Sequence, residues 1–91
     1  MNTLIISYDL PKDGQKYYEL SQKIKSLGPQ WCHPLESFWI VQSFYSVDAA
    51  KNILMPALDF NDKLIIIQSI FKLPFASKGL EKDLSWLNIN L

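Results

Sequence analysis

The chain has 91 residues with nine acidic and nine basic side chains, so its formal net charge is zero. Every basic side chain is a lysine, which counts against the arginine-rich, basic surface of tight nucleic-acid binders. A single cysteine excludes an intrachain disulfide, and the lack of a long apolar run or a basic leader flank predicts a cytoplasmic protein without membrane association.

The first predicted strand spans residues 3–9, an apolar run that ends on Asp9 just before a Leu-Pro turn. Because side chains alternate along a strand, Ile5, Ser7 and Asp9 share one face. The other face is more uniformly apolar, so we expect it against the core; its residues are Leu4, Ile6 and Tyr8. Asp9 is then expected at the rim of the opposite face.

The first helix is predicted over residues 15–27, after the turn that Asp13-Gly14 favours. Its apolar stripe at helical spacing comprises Tyr17, Leu20, Ile24 and Leu27. Tyr17 is therefore expected in the core and Tyr18 on the surface. Gly28-Pro29 is typical of a helix end.

Two strands follow, predicted over residues 30–33 and 37–44 with a turn at Pro34 between them. Ser46 is a favourable N-cap for a second helix. The apolar face of that helix comprises Val47, Ala50, Leu54 and Ala57. Pro56 is expected to kink or remove the last helical turn because it lacks an N–H donor.

The fourth strand is predicted over residues 64–70, after a turn at 59–63. In the tail, residues 71–76 fit an extended edge segment. Leu80, Leu84 and Leu87 have the spacing of a short helix, which we expect to be capped near Ser77.

The element order βαββαβ predicts an α+β, ferredoxin-like fold: a four-stranded antiparallel sheet with two helices on one face. It forms one domain over residues 1–91, with a core over about 3–70 and a tail over 71–91. The first and fourth strands are apolar on both faces, so something should cover the second face of the sheet. A second copy is the simplest cover, and the sequence predicts a homodimer packed through the open sheet face.

Three segments carry a family resemblance: "YDL" at the end of the first strand, "ESFWIV" in the third, and "DFNDKLIIIQSI" around the fourth. Together they are similar to the CRISPR-associated protein two family and the related VapD toxins. The closest likeness is to short uncharacterised proteins called SinR-like, which are unrelated to the helix-turn-helix regulator. With these the chain shares "SYDL", "IKSLG", "NDKL" and a terminal "WL". The resemblance covers residues 3–70 well and the tail loosely.

This resemblance implies a ferredoxin-like homodimer in which Asp9 is the catalytic, metal-binding residue of a Mg²⁺- or Mn²⁺-dependent nuclease. Such an enzyme would act on RNA or DNA, as a toxin or mobile-element accessory. The chain departs from the arginine-rich nucleases of the family because it has no arginine. The competing interpretation is that Asp9 closes its strand by bonding its own turn, as Asp often does at such sites.

Other side chains have weaker support for a functional role than Asp9 has. Ser7 and Ser37 are possible hydrogen-bond donors near Asp9, and His33 is either a general base or a surface histidine. Cys32-His33 cannot supply the four ligands of a structural zinc site from one chain. The three tryptophans, Trp31, Trp39 and Trp86, are expected to pack rather than to stack on bases.

Two functions therefore remain open from the sequence. One is the metal-dependent nuclease, whose nucleic acid would meet a patch formed by Lys12, Lys16, Lys23 and Lys25. The other is a non-catalytic homodimer that binds a protein partner in defence or counter-defence.

Overall fold

The computed structural model describes residues 1–11, 15–69 and 72–91. Within these ranges the strands are β1 (Asn2–Asp9), β2 (Gln30–Leu35), β3 (Phe38–Ser43) and β4 (Lys63–Ser69). The helices are α1 (Gln15–Lys25), α2 (Val47–Leu54) and α3 (Leu84–Asn90), with a 3₁₀ turn at Met55–Ala57. The strands form one antiparallel sheet in the order β2-β3-β1-β4. The predicted α+β class and four-stranded antiparallel sheet are confirmed.

One apolar core, the helix-side core, joins the first face of the sheet to α1 and α2. Leu4 and Ile6 of β1 are fully buried in it, as the alternation predicted. The core comprises Leu4, Ile6, Tyr8, Leu10, Leu20, Ile24, Leu27, Trp39, Val41, Ala50, Leu54 and Ala57. Tyr17 packs against this cluster whereas Tyr18 is exposed, so both tyrosine predictions are confirmed.

The end of α1 is fixed to β3 by a buried serine. Ser43 is fully buried; its Oγ donates to the Leu27 carbonyl oxygen at 2.7 Å and accepts from the Tyr45 backbone N–H at 3.0 Å. Gly28 lies so close to β3 that a Cβ there would overlap the Gln42 carbonyl oxygen. α1 ends at Lys25, two residues before the predicted end, and residues 26–27 form a turn.

The predicted turn at Pro34 is wrong, because β2 continues to Leu35. β2 lies at the edge of the sheet, where a proline need not donate a ladder hydrogen bond. The pairing with β3 is irregular between Cys32 and Leu35. At α2 the predictions are confirmed: Ser46 Oγ accepts from the Ala49 N–H at 3.1 Å, and Pro56 lies in the 3₁₀ turn.

The tail differs from its prediction in where the helix starts. α3 begins after Asp83 rather than near Ser77, because residues 81–83 form a turn in which the Asp83 N–H donates to the Leu80 carbonyl at 2.9 Å. Residues 72–77 form neither helix nor strand, so the expected edge segment is not formed there. Four residues of the predicted elements lie outside the described ranges: Asp13, Gly14, Ile70 and Phe71.

The tail covers half of the second sheet face. Leu87 of α3 is buried against Cys32 of β2 and Ile40 of β3. The Gln42 side-chain amide also donates to the Asn90 carbonyl at 3.0 Å. The expectation of a wholly open second face is therefore wrong: the chain covers the β2–β3 half itself, since its tail supplies apolar side chains.

The β1–β4 half of the second face is less covered by the described residues: Ile5 of β1 is half-buried and borders the tail, whereas side chains of β4 are more exposed. Ile5 pairs with Ile67, and Ser7 pairs with Ile65. Ile65 is 57% exposed and Ile67 is 51% exposed. We call Ile5, Ser7, Ile65 and Ile67 the β1–β4 patch. None of the helices in the described ranges has the length and apolar character needed to cross a bilayer.

Candidate functional site

Asp9 is the last residue of β1, and its side chain is exposed at the rim of the second face. Its Cα partner is Lys63, the first residue of β4, which is exposed as well. Cross-strand partners share a face, so Lys63 lies on the same face of the sheet as Asp9. The position of Asp9 is the one that strand alternation predicted, but the neighbouring cation was not anticipated.

Ser7 lies two residues before Asp9 on the same face. Its Cα partners are Phe38 on β3 and Ile65 on β4. A shallow depression of about 280 Å³ includes both Ser7 and Asp9. Its lining comprises Ser7, Tyr8, Asp9, Lys63, Leu64 and Ile65. The structure therefore brings Ser7 and Asp9 to one surface, directly beside the β1–β4 patch.

Ser37 lies next to the end of β1 through its backbone. Its carbonyl oxygen accepts from the Tyr8 N–H at 3.2 Å, so it borders the residue that precedes Asp9. Its side chain is half-buried. Ser37 therefore helps to hold the end of β1 in place.

His33 belongs to the other side of the sheet. Its imidazole stacks on Trp39 of the helix-side core, with ring centroids 3.8 Å apart and an interplanar angle of 10°. Its Nε2 donates to the Glu36 carbonyl oxygen at 2.8 Å. Because Asp9 projects from the opposite face, the structure does not assemble His33 with Asp9 as an acid–base pair.

Among the described residues, Asp9 does not join a cluster of metal-ligating side chains. Asp9 contributes one carboxylate, and its cross-strand partner Lys63 is a cation. In residues 1–11, 15–69 and 72–91, no three His, Cys, Asp or Glu side chains converge as metal ligands. A Mg²⁺ or Mn²⁺ shell at Asp9 would need oxygen ligands besides those that the described residues bring together.

Cys32 and His33 likewise do not form a zinc pair. The Cys32 thiol is buried under the tail and donates to Asp83 Oδ1 at 3.4 Å. Burial, with Asp83 beside it, raises the pKa of Cys32 to about 12. A thiol must lose its proton to bind zinc, so this environment opposes metal binding.

An aromatic group on the helix side was not recognised as a unit in the sequence. Trp39 Nε1 donates to Tyr8 Oη at 3.0 Å, and Tyr8 Oη donates to the Glu36 carbonyl at 3.1 Å. Burial raises the pKa of Tyr8 above its ordinary value of 10.0. Alternation along β1 predicted that Tyr8 is buried, but only the pairing of distant strands brings it to Trp39.

The lysines of the predicted basic patch are only partly described. Lys25 lies with its Nζ 4.8 Å from the centre of the Trp31 ring, at the end of α1. Lys12 and the side chain of Lys16 lie outside the described residues.

Comparison of the chain with protein-family models, with curated proteins and with solved structures gives no match.

Proposed function

We propose that the chain is a ferredoxin-like βαββαβ protein that works as a cytoplasmic homodimer, assembled through the β1–β4 patch as a non-catalytic interaction module. The strand order supports the fold assignment. So does the helix-side core, to which α1 and α2 both contribute. Such an order is typical of the split βαβ arrangement.

The observation that carries the dimer is the exposed apolar surface of the β1–β4 patch. Ile65 and Ile67 lie on the sheet face with about half of each side chain exposed. Apolar side chains that adjoin on a sheet face favour association with another surface. A domain of this length also buries a smaller fraction of its surface than larger domains do, so a partner surface adds to its stability.

Charge supports a second copy as the occupant of the patch. The formal net charge is zero, so two copies do not repel each other over long distances. Asp9 and Lys63 stand side by side at the rim of the patch. A two-fold axis through the patch can place each Asp9 near the Lys63 of the other copy, which gives a self-complementary rim.

The association test is light scattering at micromolar concentration. The wild type should have the mass of a dimer, and Ile67→Asp should be a monomer because it puts a carboxylate into the apolar interface. Ile89→Asp is the matched control, since Ile89 is 71% exposed on α3. A monomeric wild type, or a dimer that persists in Ile67→Asp, contradicts the proposal.

A metal-dependent nuclease is the second candidate, and the exposed position of Asp9 beside the patch favours it. This candidate requires the dimer, because two Asp9 carboxylates and water would supply the hard oxygen ligands that Mg²⁺ or Mn²⁺ takes. The metal would activate water and stabilise charge on a phosphodiester. Lys63 beside each Asp9 opposes it, since the ammonium competes for the carboxylate.

A cleavage assay separates the two candidates. Labelled single-stranded RNA and duplex DNA are incubated at low salt with Mn²⁺, with the wild type, Asp9→Asn and Glu19→Gln. Glu19 is an exposed carboxylate on α1 and serves as the control. Cleavage that is lost only in Asp9→Asn establishes the nuclease. Cleavage by Asp9→Asn at the wild-type rate, or no cleavage at all, rejects it.

A further inference from the structure

A second concave surface lies between α1 and the β2–β3 hairpin, on the helix side of the sheet. It is open to solvent and has a volume of about 390 Å³, within the range of roughly 300–1,000 Å³ that small-molecule sites occupy. We call it the aromatic pocket; its lining includes Tyr18, Lys25, Trp31, His33, Glu36 and Trp39. We propose that it binds a nucleotide, with the base stacked on its aromatic rings and the phosphate held by Lys25.

The inner wall of the pocket is fixed before any ligand arrives. Trp39 is 1% exposed, and its indole N–H is held by Tyr8. His33 is stacked on Trp39 and bonded to the backbone of the hairpin. Rings that are already immobilised lose little conformational entropy on binding, which favours recognition of a flat ligand.

Two further rings extend from this wall into solvent. Trp31 lies 5.4 Å from Trp39 and is 39% exposed, and Tyr18 is 71% exposed. Core packing therefore does not account for the whole of these two side chains. Exposed aromatic faces stack on nucleobases of any sequence, because every base has a π-face.

The charges of the pocket select the ligand class. The Lys25 ammonium already lies 4.8 Å from the centre of the Trp31 ring, in the position that a cationic ligand would take in an aromatic cage. A cationic ligand would be repelled there, whereas a phosphate would be attracted. Glu36 also lines the pocket, and its carboxylate can accept from the exocyclic amino group of a base.

This site is independent of the proposed dimer. The aromatic pocket lies on the helix side of the sheet, and the β1–β4 patch lies on the other face. The base and the phosphate could belong to a free nucleotide or to a nucleotide within an RNA strand, which share the same chemistry. Comparison of adenosine 5′-monophosphate with a short oligoadenylate distinguishes these two sources.

The test is isothermal titration of the full chain with adenosine 5′-monophosphate. Saturable binding is expected, weakened about fivefold or more in Trp31→Ala or Tyr18→Ala, since losing one stacking ring typically has such an effect. Phe60→Ala is the matched control because Phe60 is fully exposed outside the pocket. Tyr18→Ala guards against misfolding, since Tyr18 is mostly exposed. Tighter binding of the oligoadenylate would identify the strand as the source.

The phosphate contact is tested by comparing two lysine variants of α1. Lys25→Ala should bind adenosine 5′-monophosphate no better than adenosine, whereas Lys23→Ala on the same helix should keep the wild-type preference. The proposal is overturned if folded wild type shows no saturable binding at millimolar nucleotide. It is also overturned if Trp31→Ala and Tyr18→Ala bind like Phe60→Ala, or if the wild type binds adenosine as tightly as the nucleotide.

Discussion

At the scale of single residues, Ser43 links two elements that are distant in sequence. Its hydroxyl donates to the last residue of the α1 stripe and accepts from the chain after β3. Buried polar groups of this kind stabilise modestly when paired, but leave costly unpaired partners when removed. The buried hydroxyl therefore fixes how α1 approaches the sheet.

Replacing Ser43 with alanine should lower the free energy of unfolding by about 1–3 kcal/mol, because the Leu27 carbonyl and the Tyr45 N–H lose their partner inside the protein. Urea denaturation measures the change. Ser26→Ala is the control, since the Ser26 hydroxyl donates to the Lys23 carbonyl at the exposed surface. An equal loss in the free energy of unfolding in both variants would show that the buried Ser43 hydrogen bonds stabilise the protein no more than the exposed Ser26 bond does.

The Cys32 thiol gives a prediction about pH. Its pKa is raised from 9.0 to about 12, by burial and by Asp83. In the unfolded chain the thiol ionises near the lower value, while in the folded chain it stays protonated. The unfolded state then binds fewer protons than the folded state between these values, so stability falls as pH rises through this window.

The expected size is about 1 kcal/mol of stability lost on going from neutral pH to roughly pH 10, beyond the loss that Cys32→Ala shows. The difference is read from urea denaturation of both proteins under reducing conditions. Lysine ionisation affects the two proteins alike and cancels. Parallel pH profiles would mean that the folded thiol ionises as readily as the unfolded one.

At the scale of elements, the tail acts as a cover for the β2–β3 half of the sheet. Leu87 fills the centre of the contact, and the Lys72 ammonium donates to the Asn88 and Ile89 carbonyls at 3.1 and 3.2 Å near the end of α3. A cation at a helix C-terminus satisfies carbonyls that lack partners within the helix. The tail is thus held by both apolar and polar contacts.

Leu87→Ala should destabilise the protein by about 2 kcal/mol or more, because it leaves a cavity over Cys32 and Ile40. It should also accelerate alkylation of Cys32 by iodoacetamide, since the thiol loses its cover. Ile89→Ala removes an aliphatic side chain from the exposed side of the same helix and should change neither quantity by much. An unaltered alkylation rate in Leu87→Ala would show that the tail does not protect the thiol.

The elements that the sequence predicts well are those whose signal is local. Alternation in β1, the stripe of α1 and the Ser46 cap each depend on residues close in sequence. The predicted turn at Pro34 is wrong because the edge position of β2, which depends on long-range strand pairing, lets a proline remain in a strand. The predicted start of α3 is wrong because residues 81–83 form a turn ahead of the helix, and the leucine spacing does not indicate that turn. The exposed position of Asp9 follows from alternation, whereas its Lys63 neighbour follows only from strand pairing.

At the scale of the whole molecule, the two sheet faces are completed differently. α1 and α2 pack on the first face, and the tail with α3 packs on the β2–β3 half of the second. The remaining β1–β4 patch is too apolar to be an ordinary wet face of an antiparallel sheet, which should alternate with polar residues. The proposed second copy would bury this patch and so add to the apolar area that a short chain buries alone.

A dimer that stabilises the folded chain makes thermal stability depend on protein concentration. The Tm of the wild type should rise when its concentration is raised from micromolar to about hundred-micromolar, because only folded chains associate and association therefore stabilises the folded state. Ile67→Asp should show a lower Tm that does not vary with concentration, while Ile89→Asp should follow the wild type. Scanning calorimetry measures all three. A wild-type Tm that is constant over this range would mean that the β1–β4 patch stays exposed in solution, and the paired Asp9 carboxylates would then be lost with the dimer.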